Sequence, residues 1–138
     1  LYSAERGKGA FLNNKRLVVS ALPTASLIDN HPSPQGIALS LYTALGFRHY
    51  VESGSIALKI CKVANGVADV FFKSVEVKDW DLAGAHLVLE EANGILTDAN
   101  GERIPYTNGY SRWGVVATHA MDACSAVVKW YRNYSAEH

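Results

Sequence analysis

The chain has 138 residues, the length of a single ordinary domain, and 49% of them are apolar, so it is a folding sequence rather than a disordered one. Thirteen Lys plus Arg balance thirteen Asp plus Glu, which leaves no net field to draw in nucleic acid or a membrane surface. Two cysteines without CxxC spacing exclude a disulfide scaffold, and no apolar run approaches the ~20 residues of a membrane span.

The first twenty residues read as a hairpin. Phe11-Leu12 and Leu17-Val18-Val19 are apolar runs separated by the turn residues Asn13-Asn14. Gly7-Lys8-Gly9 is not followed by a helical pattern, so it is not a phosphate loop. The chain opens in this strand-like pattern at Leu1-Tyr2-Ser3 without an initiator methionine, which points to a piece of something longer.

From residue 21 the rhythm becomes strand, helix, strand. Leu22 to Ile28 reads as a strand. Ser33-Pro34 offers an N-cap and a first-turn proline for a helix with Ile37, Leu41, Ala44 and Leu45 on one stripe and Gly46 as its stop. Phe47 to Val51 is the next strand. Ser53-Gly54-Ser55 opens a second helix with Ile56, Ile60, Val63 and Ala64 on one face and Gly66 at its end. Val67 to Phe72 is a strand, and Asp79 to Ala92 is a third helix with Leu82, Ala85, Leu89 and Ala92 aligned. Ile95 to Thr97 and Val115 to Thr118 are strands, Asn100-Gly101 and Asn108-Gly109 are turns, and Met121 to Tyr134 is a last helix. The pattern predicts an α/β fold, a layered sandwich with helices packed on a central mixed sheet and a β-hairpin in front of it. The expected division is 1–20, the hairpin end of an N-terminal α+β domain, and 21–138, a C-terminal α/β domain.

Few residues offer chemistry. Asp79-Trp80-Asp81 stands in front of the third helix. An aspartate there is either a cap on the helix N–H groups, with Trp80 as a core anchor, or a ligand for a hard cation. Asp69, Asp98, Glu102 and Asp122 are isolated carboxylates and supply no clear co-ligand. Ser53-Gly54-Ser55 either caps and turns its own helix or presents free N–H groups to an anion. Lys73 follows the Val67–Phe72 strand, where α/β folds place ligand groups, although a solvated lysine is the simpler reading. The five histidines show no HxH or HExxH spacing.

Three segments, in order, resemble the inositol monophosphatase family. Trp80-Asp81-Leu82-Ala83-Gly84-Ala85 followed by Glu91-Ala92-Asn93-Gly94 is similar to the family's WDxAAxxxxxxEAGG signature. Glu5 to Asn13 resembles its GxGAxxNG hairpin, and Gly54 to Asp69 its GSxALxxxxVAxGxxD segment. The resemblance implies a Mg²⁺-dependent, lithium-sensitive phosphomonoesterase of an α-β-α-β-α fold, commonly dimeric, with fructose-1,6-bisphosphatase and bisphosphate nucleotidase relatives. It implies Asp81 as metal ligand and catalytic residue that also touches substrate, and Gly54, Ser55 and Ile56 along the substrate. Lys73 falls where bisphosphate-acting relatives carry a basic residue.

Gly84 and Asn93 depart from the signature, and the family's DPxDGT metal motif is missing from these 138 residues. The expectation is therefore a C-terminal fragment, inactive alone, whose remaining Mg²⁺ ligands come from its own N-terminal domain. Its expected partners are a small-molecule phosphate ester and a second copy of the chain, with no nucleic acid and no membrane, in the cytoplasm. The alternative is a non-catalytic binding or assembly module on the same scaffold.

Overall fold

The computed structural model describes residues 1–20, 25–104, 106 and 111–138. The chain runs β1 (Tyr2–Glu5), β2 (Gly9–Leu12), β3 (Lys15–Arg16), β4 (Ser26–Asp29), α1 (Gly36–Ala44), β5 (His49–Glu52) and α2 (Ile56–Ala64). It continues β6 (Val70–Lys78), α3 (Asp79–Glu91), β7 (Ile95–Thr97), β8 (Ser111–Thr118) and α4 (Met121–Glu137). The first three strands form a small antiparallel sheet, and the other five a mixed sheet of order β5-β4-β6-β8-β7. This is the expected α/β sandwich with its leading hairpin.

β5, β4 and β6 are parallel, while β8 runs antiparallel to both β6 and β7. The chain leaves β4 toward one side of the sheet and returns across it to β6. Right-handed crossovers in opposite directions put α1 and α2 on opposite faces. The side chains follow: Ile28, Phe71, Val115 and Ala117 join α2 and α3, whereas Leu27, Val70, Phe72 and Val116 join α1 and α4. A sheet covered on both faces needs such continuous apolar strands.

The hairpin sheet lies over α3. Asn13 and Asn14, both at positive φ (50° and 70°), make the two-residue turn between β2 and β3 that Asn tolerates best after Gly. Ala10 and Leu17 are buried in the α2–α3 core, and Val19 N–H donates to the Ala92 carbonyl at 3.0 Å. The Glu91 carboxylate accepts from Gly7 N–H at 3.0 Å and Gly9 N–H at 2.8 Å, so this glycine turn already grips a side chain of the protein itself. Those two bonds, with Arg6 and Arg16 nearby, hold the Glu91 carboxyl below its ordinary range. The depressed value means that the clamp is fully present above the ordinary glutamate pKa and is lost as pH falls through the lower folded value. In an acid titration, the Gly7 and Gly9 amide signals should move together with a midpoint below that of an ordinary glutamate, and Glu91→Gln should abolish the movement. A midpoint at or above the ordinary value would refute the clamp.

Several boundaries differ from expectation. α1 begins at Gly36 with Gln35 as an N-cap that makes no side-chain bond, not at Ser33-Pro34; Gly36 is left-handed (φ 57°), which keeps the helix from propagating back to the proline. On α1 the expected stripe is buried at Leu41, but Ala44 and Leu45 are exposed. β6 is longer than the expected strand and runs directly into α3, because β8 pairs with it as far as Lys78↔Ser111. Lys73 therefore lies within the strand rather than after it. Between Lys73 and Glu76 the register shifts: Lys73 faces Val115 and Glu76 faces Trp113, so Ser74 and Val75 oppose Gly114 alone. That is a β-bulge, with Gly114 at φ 83°. Leu22 and the Asn108-Gly109 turn lie outside the described residues.

Candidate functional site

Helices α2 and α3 both start where the parallel strands end, on the same face of the sheet, and pack side by side. Chain exits from β4 and β6 diverge to opposite faces there, the crevice in which open α/β sheets bind ligands. Two helix N-termini at one edge also add their positive dipole ends.

The expected site residues lie on these elements. Gly54 and Ser55 lead into α2, where Ser55 is the N-cap and its Oγ accepts from Leu58 N–H at 3.1 Å. Ile56 is the first residue of α2 and half-buried. Lys73 is not a solvated lysine. Its ammonium sits 2.7 Å from Asp29 Oδ1 and 2.5 Å from Asn30 Oδ1, at the end of β4. Asp81 lies in the first turn of α3 with its side chain exposed. No hydrogen bond or ion pair joins Asp81 to the other four among the described residues.

The capping account of the aspartates is corrected. The N-cap of α3 is Lys78, without a side-chain bond; Asp79 and Asp81 sit inside the first turn, where they oppose the helix dipole but do not cap. Trp80 is not a core anchor. It is 68% exposed, because α3 turns Asp79, Leu82, Ala85, His86 and Leu89 inward and its periodicity carries residue 80 outward.

Two residues of the edge escaped the sequence reading. Asp29 is 3% exposed and ion-paired to Lys73. Lys59 is 2% exposed, and its Nζ donates to the Gly54 carbonyl at 2.6 Å and lies 5.0 Å from the centre of the Phe71 ring. Burial pushes the Lys59 amine below the ordinary lysine range, Lys73 adds to that, and Asp29 opposes it. These causes tie Lys59, Lys73 and Asp29 into one electrostatic group beside Gly54. A lysine in the apolar helix Ile56–Ala64 was the only available signal. Ser53, also buried, has an Oγ with no hydrogen-bond partner among the described residues, a cost of ~1–3 kcal/mol that a ligand acceptor would relieve.

The other carboxylates are structural. Asp69 accepts from Ser26 N–H, Asp98 from the Asn100 and Glu102 N–H groups, and Asp122 from Ala123 N–H. Among the described residues no group of three or more His, Cys, Asp or Glu side chains could hold a metal ion. Magnesium takes near-octahedral oxygen ligands, so Asp81 by itself does not make its site. Both cysteines are free and buried, and burial pushes the Cys61 thiol up to about 11. Among the described residues no helix is long and apolar enough to cross a membrane.

The family model described as the inositol monophosphatase family matches residues 1–131. A putative Nus factor SuhB from Neisseria meningitidis is 34% identical over 112 residues, 74% of this chain and 42% of that protein. Inositol monophosphatase 1 from Pongo abelii is 36% identical over 112 residues, 73% of this chain and 40% of that protein. The chain thus spans about two-fifths of the length of these curated relatives. The inositol monophosphatase structure from Anabaena superposes with a TM-score of 0.73 at 20% identity, over 96% of this chain and 54% of that one, and shares the fold.

Proposed function

The chain belongs to the inositol monophosphatase family, and from that premise we propose that it carries the C-terminal share of a Mg²⁺-dependent phosphomonoesterase acting on a sugar, polyol or nucleotide phosphate. What supports the reading is that the Gly54-Ser55 start of α2, with the Lys59–Asp29–Lys73 group beside it, and the Asp81 turn of α3 head two helices packed on one face of the sheet. Asp81 is one metal ligand, and the others come from outside these 138 residues. The division at residue 20, with the hairpin completing the sheet of an N-terminal domain, belongs to the same proposal. So do a homodimer, a cytoplasmic setting, and inactivity of the 138-residue chain alone.

The residues present account for binding rather than bond breaking. N–H groups at the start of α2 and the orphan Ser53 hydroxyl suit phosphate oxygens. Lys59 holds the Gly54 carbonyl and so fixes the direction of that backbone. A divalent cation, when bound, would supply charge neutralisation and an activated water. In the group beside Gly54, Lys59 and the half-buried Lys73 stand against the Asp29 carboxylate, a local surplus of positive charge. That surplus favours an ester with a second anionic group over a plain polyol monophosphate.

The test is phosphate release, with and without Mg²⁺, by the protein as its gene encodes it. Inositol 1-phosphate, fructose 1,6-bisphosphate and adenosine 3′,5′-bisphosphate make the panel. Mg²⁺-dependent release, fastest with a bisphosphate, is the expected result; no release from any of the three would overturn the reading. A binding or assembly module on the same scaffold is the second reading, favoured by relatives named as Nus factors. It would show as partner capture with no turnover.

A further inference from the structure

A second cavity lies away from that edge. It measures about 580 Å³ and lies between the hairpin turn, the middle of α3 and the segment after β7. Its polar lining comes from all three: Arg6, then His86 and Glu90, then Arg103 and Tyr106. That size suits a small metabolite. Along α3 the lining runs from Ala83 to Glu90, and its charged end, Glu90, stands nine residues beyond Asp81, about 13 Å at 1.5 Å per residue.

The floor is a built hydrogen-bonded chain. His86 is 6% exposed. One ring nitrogen, Nε2, is 2.8 Å from Glu90 Oε1, and the other, Nδ1, is 2.5 Å from the Tyr106 hydroxyl. The neutral ring fits both contacts, with Nε2–H donating to Glu90 and Tyr106 O–H donating to Nδ1. Burial holds His86 below the ordinary histidine range; Glu90 opposes this, while Arg103 and Arg6 add to it. Both guanidiniums therefore bear on one imidazole from two different segments. Glu90 is engaged by His86, and neither arginine has a carboxylate within ion-pairing distance among the described residues. In this lining the two guanidiniums, Arg6 and Arg103, outnumber the single Glu90 carboxylate, so the cavity suits an oxyanion, and each fork can take two oxygens of a phosphate.

We propose that this cleft binds a small phosphorylated anion, a phosphate monoester or a pyrophosphate, held by Arg6 and Arg103 at a site distinct from the sheet edge. Glu90 and the Tyr106 oxygen then face the hydroxyl-bearing remainder of the ligand. The proposal does not depend on the phosphatase reading, because neither Asp81 nor a metal takes part.

The experiment is a titration of the chain with inorganic pyrophosphate, without added metal, followed by the His86 imidazole signals in a ¹H–¹⁵N spectrum. The expected result is a saturable shift with a Kd of about 1 mM, as two charge-assisted contacts would give. Arg6→Gln combined with Arg103→Gln should weaken binding at least ~tenfold while leaving the ligand-free His86 signals in place. Asp81→Asn should leave binding unchanged. No shift at about 20 mM pyrophosphate, well above that Kd, overturns the proposal. So does equal affinity in the double arginine variant. Loss of the shift in Asp81→Asn would assign the anion to the sheet edge and overturn it as well.

Discussion

Asp81→Asn, made in the protein as its gene encodes it, should lower Mg²⁺-dependent phosphate release by more than about a hundredfold. Changes one shell outside a metal cost 10–100-fold, and loss of a direct ligand should exceed that. The structural side of the prediction is equally definite. Asp81 is exposed, makes no hydrogen bond in the described structure and does not cap α3. Its only structural service is to oppose the helix dipole, worth ~0.3–1 kcal/mol. Asn keeps the size and removes the charge. The melting temperature should therefore stay within a few degrees, while turnover collapses. Normal turnover in the variant would remove Asp81 from the metal site. Joint loss of turnover and folding would show that its role is structural, against the exposure described here.

Gly114→Ala should have the largest effect on stability. Gly114 stands opposite Ser74 and Val75 in the bulge, at φ 83°. A Cβ there would lie 2.5 Å from the Ala99 Cβ and 3.0 Å from the Lys73 carbonyl oxygen. Neither neighbour is the end of a long side chain that could swing aside. Left-handed backbone costs an L-residue ~1–2 kcal/mol, and overpacking typically adds ~1–3. The sum is a loss of about 2–5 kcal/mol, read as the urea midpoint at constant slope. Gly54→Ala is the control. It has no atom within 4 Å of its Cβ position and no positive φ, so its stability should change by less than ~1 kcal/mol. Equal effects in the two variants would mean that the bulge is not the rigid feature described. Because the obstructed carbonyl is that of Lys73, Gly114→Ala should also disturb the Lys73–Asp29 pair.

Much of this was legible because local chemistry agreed with the fold. The stripes of α2 and α3, the Gly66 stop of α2 and the Asn13-Asn14 turn are all decided within a few residues of chain. The misses required distant partners. Residues 73–78, Lys-Ser-Val-Glu-Val-Lys, look like a polar linker until β8 pairs with them. Trp80 looks like an anchor until the inward face of α3 is fixed by its neighbours. Lys59 is hidden in an apolar helix, and its burial depends on the Gly54 carbonyl and the Phe71 ring. His86 and Tyr106 meet only after the chain has passed through β7. For the candidate site, the backbone positions at Gly54 and Ser55 could be read directly, whereas the charge arrangement around Lys73 could not.

The sheet's middle strand also has a consequence for how the molecule assembles itself. β6 pairs in parallel with β4 on one side and antiparallel with β8 on the other. The first pairing closes over α1, β5 and α2, and the second over α3 and β7, so both are contacts between remote parts of the chain. Such contacts demand loop-closure entropy before they return any stabilisation, and chains rich in them fold slowly. α2 and α3, joined through β6, make the most local tertiary unit available and are the natural nucleus. Substitutions in their shared core, such as Ile60→Val, should slow folding. Substitutions in the late-docking β7, such as Leu96→Ala, should chiefly speed unfolding.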